Sequence, residues 1–220
     1  MDLSALPVLD KSRLIGAGCT RLQLRVDAAQ VQAEVAGLPA DLWGSQGGRG
    51  GVHDRAEAVW LKGNAPATRI PGFDEKPVFA RLPRLRELVL QRMPAEPLRC
   101  LLARLPAGCH VPAHADAGAY FQRSLRFHVA VTSSPQVVMY AAGLCYHMQP
   151  GEVWALDNSS IHGVLNDDLA AARIHLIVDY LPSPALLELL QAAERDLGVR
   201  DATVDRRFEV MYVQNAAARG

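Results

Sequence analysis

Apolar positions along this chain keep a helical period, switch to alternation, and then return to a helical period. Asp27 offers an N-cap, AAQVQAEVA follows, and Gly37 suits a stop, which predicts a helix across 27–37. Leucines three and four apart in LPRLRELVLQR predict a second over 82–92. From about residue 98 the apolar runs shorten, turn residues crowd in, and side chains alternate with period two. Strands are expected at 98–105, 124–132, 136–141, 144–148, 152–157, 161–166 and 173–181. Beyond 181, Ser183 can cap, Pro184 fits the first helical position, and ALLELLQAAERDL runs on to Gly198. Many short strands with closely spaced turns predict a β-sandwich or barrel rather than a βαβ sheet. The expected organisation is a mixed helical N-terminal region at 1–97 packing on the core, a β core at 98–182, and a helix with a tail at 183–220.

With 220 residues, 50% hydrophobic and 21% charged, the chain has material for a buried core and falls outside the disordered and fibrous classes. Lys+Arg and Asp+Glu balance at 23 each, so no global field recruits nucleic acid or an acidic membrane, and neither is expected as a partner. The start MDLSALPVLDKSRLIGAG lacks a basic segment leading into a long apolar run, and does not read as a secretory signal. No stretch approaches the ~20 apolar residues of a bilayer span. A cytoplasmic location is expected. Cys19, Cys100, Cys109 and Cys145 form no CxxC pair and are expected as free thiols. The glycine-rich stretch 44–51 lacks both a Walker lysine and G-x-G-x-x-G spacing, so a connector or lid is expected there.

The candidate chemistry lies in the β region, where five of the seven histidines fall between residues 110 and 162. In extended backbone i and i+2 point the same way, so His114 and Asp116 of PAHAD can aim at one point and supply two ligands of a facial metal site. A third ligand must come from elsewhere, and His162, opening a short strand after a polar turn, is suitably placed. A 2-His-1-carboxylate set suits non-haem Fe(II) with positions left open. In SLRFHVAV, Leu125, Phe127, Val129 and Val131 share one face, while Arg126 and His128 share the other. That second face is either solvated or lines a cavity, where the pair could bind a carboxylate. In ARIHLIVDY, Ile174, Leu176 and Val178 oppose Arg173 and His175. A buried Arg173 needs a partner, which a dianionic cosubstrate would provide by bidentate pairing.

The ordered set HADAG, SLRFHVAV, PGEVWALDNSSIHGVLND and ARIHLIVDY resembles the aspartyl/asparaginyl β-hydroxylase family of Fe(II)/2-oxoglutarate-dependent oxygenases, including its bacterial proline-hydroxylase-like branch. The resemblance covers roughly 98–182 and implies a mainly β fold with flanking helices, built on a double-stranded β-helix (jelly-roll, cupin-like) core. It implies iron bound by His114, Asp116 and His162. Arg126 and His128 match the L-R-x-H motif that holds the near end of 2-oxoglutarate, and Arg173 matches the arginine for its far carboxylate. The family's animal peptidyl hydroxylases carry glycine where Asp116 stands. The implied activity is hydroxylation of a C–H bond in an amino-acid-type substrate, free, peptidyl or part of a natural product, with 2-oxoglutarate and O2 as cosubstrates. A non-catalytic cupin-like binding module would retain the metal pocket but has no use for the arginines. A histidine-rich zinc protein leaves Arg126 and Arg173 equally unexplained.

The remaining candidates are read as structural. Cys109 and His110 are expected as packing or turn residues, and His147 and Trp154 as strand residues. Asp157 is expected to shape the turn before His162. His53 and Asp54 are expected to stay outside the site, and Arg206 and Arg207 to be solvated surface. For His175 two readings stand open, support for Arg173 or plain packing.

Overall fold

The computed structural model describes residues 3, 5–44, 50–65 and 72–217, with side chains as far as Met211. Among the described residues ten strands form two antiparallel sheets: β1 (Cys19–Arg25), β2 (Glu57–Lys62), β3 (Pro97–Leu105), β4 (His110–His114), β5 (Leu125–Thr132), β6 (Val137–Ala141), β7 (Leu144–Tyr146), β8 (Glu152–Leu156), β9 (His162–Asn166) and β10 (Arg173–Tyr180). The large sheet runs β1-β8-β5-β10-β3-β2 and the small one β4-β9-β6-β7. From β3 to β10 the chain crosses repeatedly between the sheets, giving eight strands in two interlocked four-strand sets. This is the double-stranded β-helix that the alternation and the resemblance led one to expect.

Short helices α1 (Lys11–Ile15), α2 (Ala28–Ala36), α3 (Pro83–Glu87) and α5 (Pro184–Gln191) line the back of the large sheet; α4 (Ala119–Arg123) bridges strands, and α6 (Ala202–Ala217) lies against the small sheet. Alternation sets the layers. Leu125, Phe127, Val129 and Val131 of β5 and Leu176, Val178 and Tyr180 of β10 join Val31, Leu85 and Leu186 in a core beneath the helices. Each such side chain removed from water contributes roughly 1.5–3 kcal/mol. The opposite residues therefore face the gap between the sheets, which resolves the choice between solvent and cavity in favour of the cavity. Trp154, Leu156, Ala130, Met139, Val111 and Val164 close its floor.

The elements depart from expectation where local chemistry is overridden. Residues before 97 supply two strands, β1 and β2, as the outer members of the large sheet, alongside their helices. The segment 82–92 begins as α3 and widens into a π-turn over Leu88–Arg92. The C-terminal helix expected to reach Gly198 stops at Gln191, because the backbone of Glu194 exchanges two hydrogen bonds with Arg21 on the edge of the large sheet. The residues that follow make a second helix, α6. β4 was unforeseen because Pro112 and a bulge break its alternation. All four cysteines are free. Among the described residues no helix is long and apolar enough to cross a membrane. Of the glycine-rich stretch, 45–49 lie outside the described residues.

Candidate metal centre and anion pocket

β4 and β9 pair antiparallel, with Val111 opposite Val164 and His114 opposite His162. Three steps along β4 thus span two along β9, so a bulge sits at Pro112 and Ala113. The bulge is what lets both Val111 and His114 face inward, an odd step that regular pleating forbids. Pro112 is tolerated because β4 is an edge strand. The two imidazole centroids lie 4.2 Å apart. Each ring donates from Nδ1 to a carbonyl two residues upstream, His114 to Pro112 O at 2.8 Å and His162 to Ser160 O at 2.9 Å. With the proton on Nδ1, Nε2 is the basic nitrogen, the usual arrangement of a ligating histidine. Asp157 accepts from Ser159 and Ser160 and so shapes the turn into His162, as expected.

Asp116 follows the end of β4, its backbone N–H donating to Asn158 O at 2.9 Å. Its Oδ2 accepts from Arg126 Nη1 at 2.5 Å and from Asn158 Nδ2 at 3.0 Å, while Oδ1 lies 3.9 Å from His114 Nε2. Asn158 is itself held by the buried Lys11 Nζ, which donates to its Oδ1. Burial opposes charge on Asp116, but Arg126, His162 and Asn158 outweigh it and hold the carboxyl below its ordinary range. His162 is brought down to about 3 by burial and by His114, so it is neutral at ordinary pH. Ligand atoms of His114, Asp116 and His162 all lie within 4.8 Å of one another. Two imidazoles, each with its proton on Nδ1 and Nε2 turned to the site, and one ionised carboxylate form a donor set that fits Fe(II).

The large sheet supplies the other wall of the same cavity, which His53, His114, His162, Arg126, His128 and Arg173 line together. Arg126 pairs with Asp179 directly across the β5–β10 register, Nε to Oδ1 at 2.8 Å and Nη2 to Oδ2 at 3.0 Å. Tyr120 also donates to Asp179 Oδ2 at 3.0 Å. Arg126 therefore meets two carboxylates of the protein itself, whereas the sequence reading gave it to the cosubstrate. His128 is buried, and neither ring nitrogen has a hydrogen-bond partner among the described residues. Burial, then the charges of Arg173 and Arg126, hold it well below its usual pKa. Arg173 is 4% exposed and makes no ion pair among the described residues; burial alone lowers it to about 9. Its Nη2 donates to His175 Nδ1 at 2.7 Å, and its Nε has no partner among the described residues. A buried guanidinium of this kind fits an anionic ligand such as the far carboxylate of 2-oxoglutarate.

Five of the six residues singled out from sequence thus line one cavity, and the sixth, Asp116, is bonded to one of them, Arg126. His53, expected outside, also lines it, with its ring edge-on to His114 at 5.3 Å. His110 and His147 are exposed, and Trp154 is core. Asp179, Asn158 and Lys11 were missed. Asp179 was findable, since it continues the same-face series from Arg173 and His175; the other two carry no pattern that would mark them.

The sequence profile described as Aspartyl/Asparaginyl beta-hydroxylase matches residues 69–182, starting upstream of the segment on which the resemblance rested. No curated protein sequence matches this chain. Among solved structures it is similar to a 2OG-Fe(II) oxygenase family oxidoreductase from Burkholderia pseudomallei, at 17% identity over 70% of this chain and 77% of that one, with a TM-score of 0.49. It is also similar to a prolyl-4-hydroxylase from Pseudomonas putida, at 19% identity over 83% and 100% with a TM-score of 0.43. A third is HygX from Streptomyces hygroscopicus, solved with nickel, 2-oxoglutarate and hygromycin B, at 14% identity over 76% and 84% with a TM-score of 0.46. The profile spans just over half of the chain and covers both walls of the cavity, and the chain belongs to the aspartyl/asparaginyl β-hydroxylase family, an enzyme of the Fe(II)/2-oxoglutarate oxygenase class.

Proposed function

We propose that this protein hydroxylates a C–H bond of an amino-acid-type substrate, free, peptidyl or part of a natural product, with Fe(II) at His114, Asp116 and His162 and 2-oxoglutarate reaching Arg173. The observation that carries this reading is one cavity holding both a His-Asp-His donor set and a buried arginine with no carboxylate partner among the described residues. Iron and 2-oxoglutarate, when bound, supply O2 activation driven by oxidative decarboxylation of the cosubstrate. The chain's own part is binding and orientation. Ser160 O and Pro112 O fix the histidine tautomers, Arg126 and Asn158 hold one oxygen of Asp116 so that the other faces His114, and Arg173 anchors the far carboxylate. His128, neutral and facing the cavity, is available to hydrogen-bond the near end of the cosubstrate.

The test is anaerobic loading with Fe(II) and 2-oxoglutarate, then exposure to air with a panel of amino acids and short peptides. Succinate release coupled to a product heavier by one oxygen atom supports the reading. His114→Ala and His162→Ala are expected to lose iron and turnover together, since each leaves an incomplete facial site. Binding of metal without succinate from any substrate would favour the cupin-like binding module instead.

A further inference from the structure

His175 lies two residues after Arg173 on β10 and so shares its face. Across the register it is flanked by Ala103 on β3 and Ala130 on β5. Two methyl groups leave room for the imidazole to lie along the strand, where it is 1% exposed. A guanidinium cannot accept a hydrogen bond, so the 2.7 Å contact between Arg173 Nη2 and His175 Nδ1 has one polarity: arginine donates, and the histidine carries its proton on Nε2.

We infer that His175 is a positioning residue for the cosubstrate: a neutral acceptor that sets the plane of the Arg173 guanidinium without neutralising its charge. This rests on Arg173 being the far-carboxylate anchor. The physical point lies in the choice of acceptor. An aspartate or glutamate beside Arg173 would orient it equally well but would already satisfy its charge, as Asp179 does for Arg126. A hydrocarbon would leave the charge intact but the fork free to rotate, and bidentate pairing depends on that orientation. An imidazole meets both requirements as long as it stays neutral. Burial, followed by the neighbouring charge of Arg173, keeps His175 in that form.

Calorimetry of 2-oxoglutarate binding to Mn(II)-loaded protein, run anaerobically on wild type and three variants, tests this. In His175→Leu the dissociation constant is expected to rise about tenfold or more, the size of a lost hydrogen bond to a charged group, with Mn(II) stoichiometry unchanged. His175→Asn places its amide oxygen as many bonds from the backbone as Nδ1, and is expected to recover affinity to within about threefold of wild type. His175→Asp, which supplies the acceptor but cancels the charge, is expected to bind more than about tenfold more weakly than wild type. Equal affinities for wild type and His175→Leu overturn the inference. Should His175→Leu not fold, equal affinities for His175→Asn and His175→Asp overturn it as well. Wild type that binds no 2-oxoglutarate is a separate result, which overturns the assignment of Arg173 itself.

Discussion

Arg126 and Arg173 leave adjacent strands for the same inner face of the large sheet, and both are removed from most contact with water, yet their surroundings are opposite. Arg126 is held by Asp179 through two nitrogens and by Asp116 through a third. Arg173 has a neutral imidazole and no carboxylate among the described residues. A buried ion pair whose partners are already supplied belongs to the architecture of the site. A buried cation whose counter-charge is not supplied by the protein belongs to a ligand. By that criterion Arg126 braces Asp116, and the anion-binding end that we propose for the cavity is the one at Arg173.

The comparison breaks most visibly under truncation. Arg126→Met is expected to destabilise the folded protein by about 3–5 kcal/mol, because it strands Asp179 and loosens Asp116 in a buried setting. Arg173→Met is expected to leave ligand-free stability unchanged or slightly raised, since it removes a cation that burial disfavours, while 2-oxoglutarate affinity falls by about 2–5 kcal/mol. Chemical denaturation and calorimetry on the same two variants read both quantities. Comparable destabilisation by both substitutions would refute the contrast.

Lys11 sharpens it. Among the described residues this third buried cation has only an amide, Asn158 Oδ1, as its hydrogen-bond partner, and burial, opposed by the charge of Asp179, brings it from 10.5 down to about 8. Below pH 8 both folded and unfolded chains carry the proton and the burial cost stands in full. Between about 8 and 10.5 only the unfolded chain carries it, so stability rises with pH across that window, by up to about 3 kcal/mol. Urea titrations at pH 7.5, 9 and 10.5, taken as about the spacing that window requires, should show wild type gaining stability relative to Lys11→Met as pH rises. The smallest effect is expected from Arg207, which makes a two-point contact with Asp167 like that of Arg126 with Asp179, but at the surface. Arg207→Ala should change stability by less than about 1 kcal/mol. A larger loss would mean that contact geometry, rather than burial, sets the value of these pairs.

The sequence was most informative where period and burial coincide. The alternation of β5 and β10 sorted apolar from polar faces correctly and put Arg126 with His128 and Arg173 with His175, but left open whether the polar face meets solvent or a cavity. The H-x-D spacing placed His114 and Asp116 together. What it could not show is partnership across strands. The pairing of Arg126 with Asp179 depends on the β5–β10 register, and that of His114 with His162 on a bulge in β4. A motif match therefore placed Arg126 in the pocket without showing that Asp179 and Asp116 pair with it there. Lys11 and Asn158 are separated by 147 residues and joined only by the completed fold. β1 and β2 went unassigned although Leu22 and Leu24 of β1 alternate with Arg21, Gln23 and Arg25.

The position of β4 has a consequence for the life of the protein between turnovers. It is the outermost strand of the small sheet, tied to a single neighbour, β9, and its ladder is interrupted where Pro112 lacks an amide hydrogen and the bulge adds a residue. His114 stands on this loose margin while His162 stands on the inner strand. Anything that joins the two rings therefore fastens a selvedge: it suppresses fraying of β4 and denies other chains a template for strand addition. Shelf life and resistance to aggregation should track occupancy of the histidine pair, with amide exchange slowed first at Val111 and His114 and only later at the deeper residues of β9.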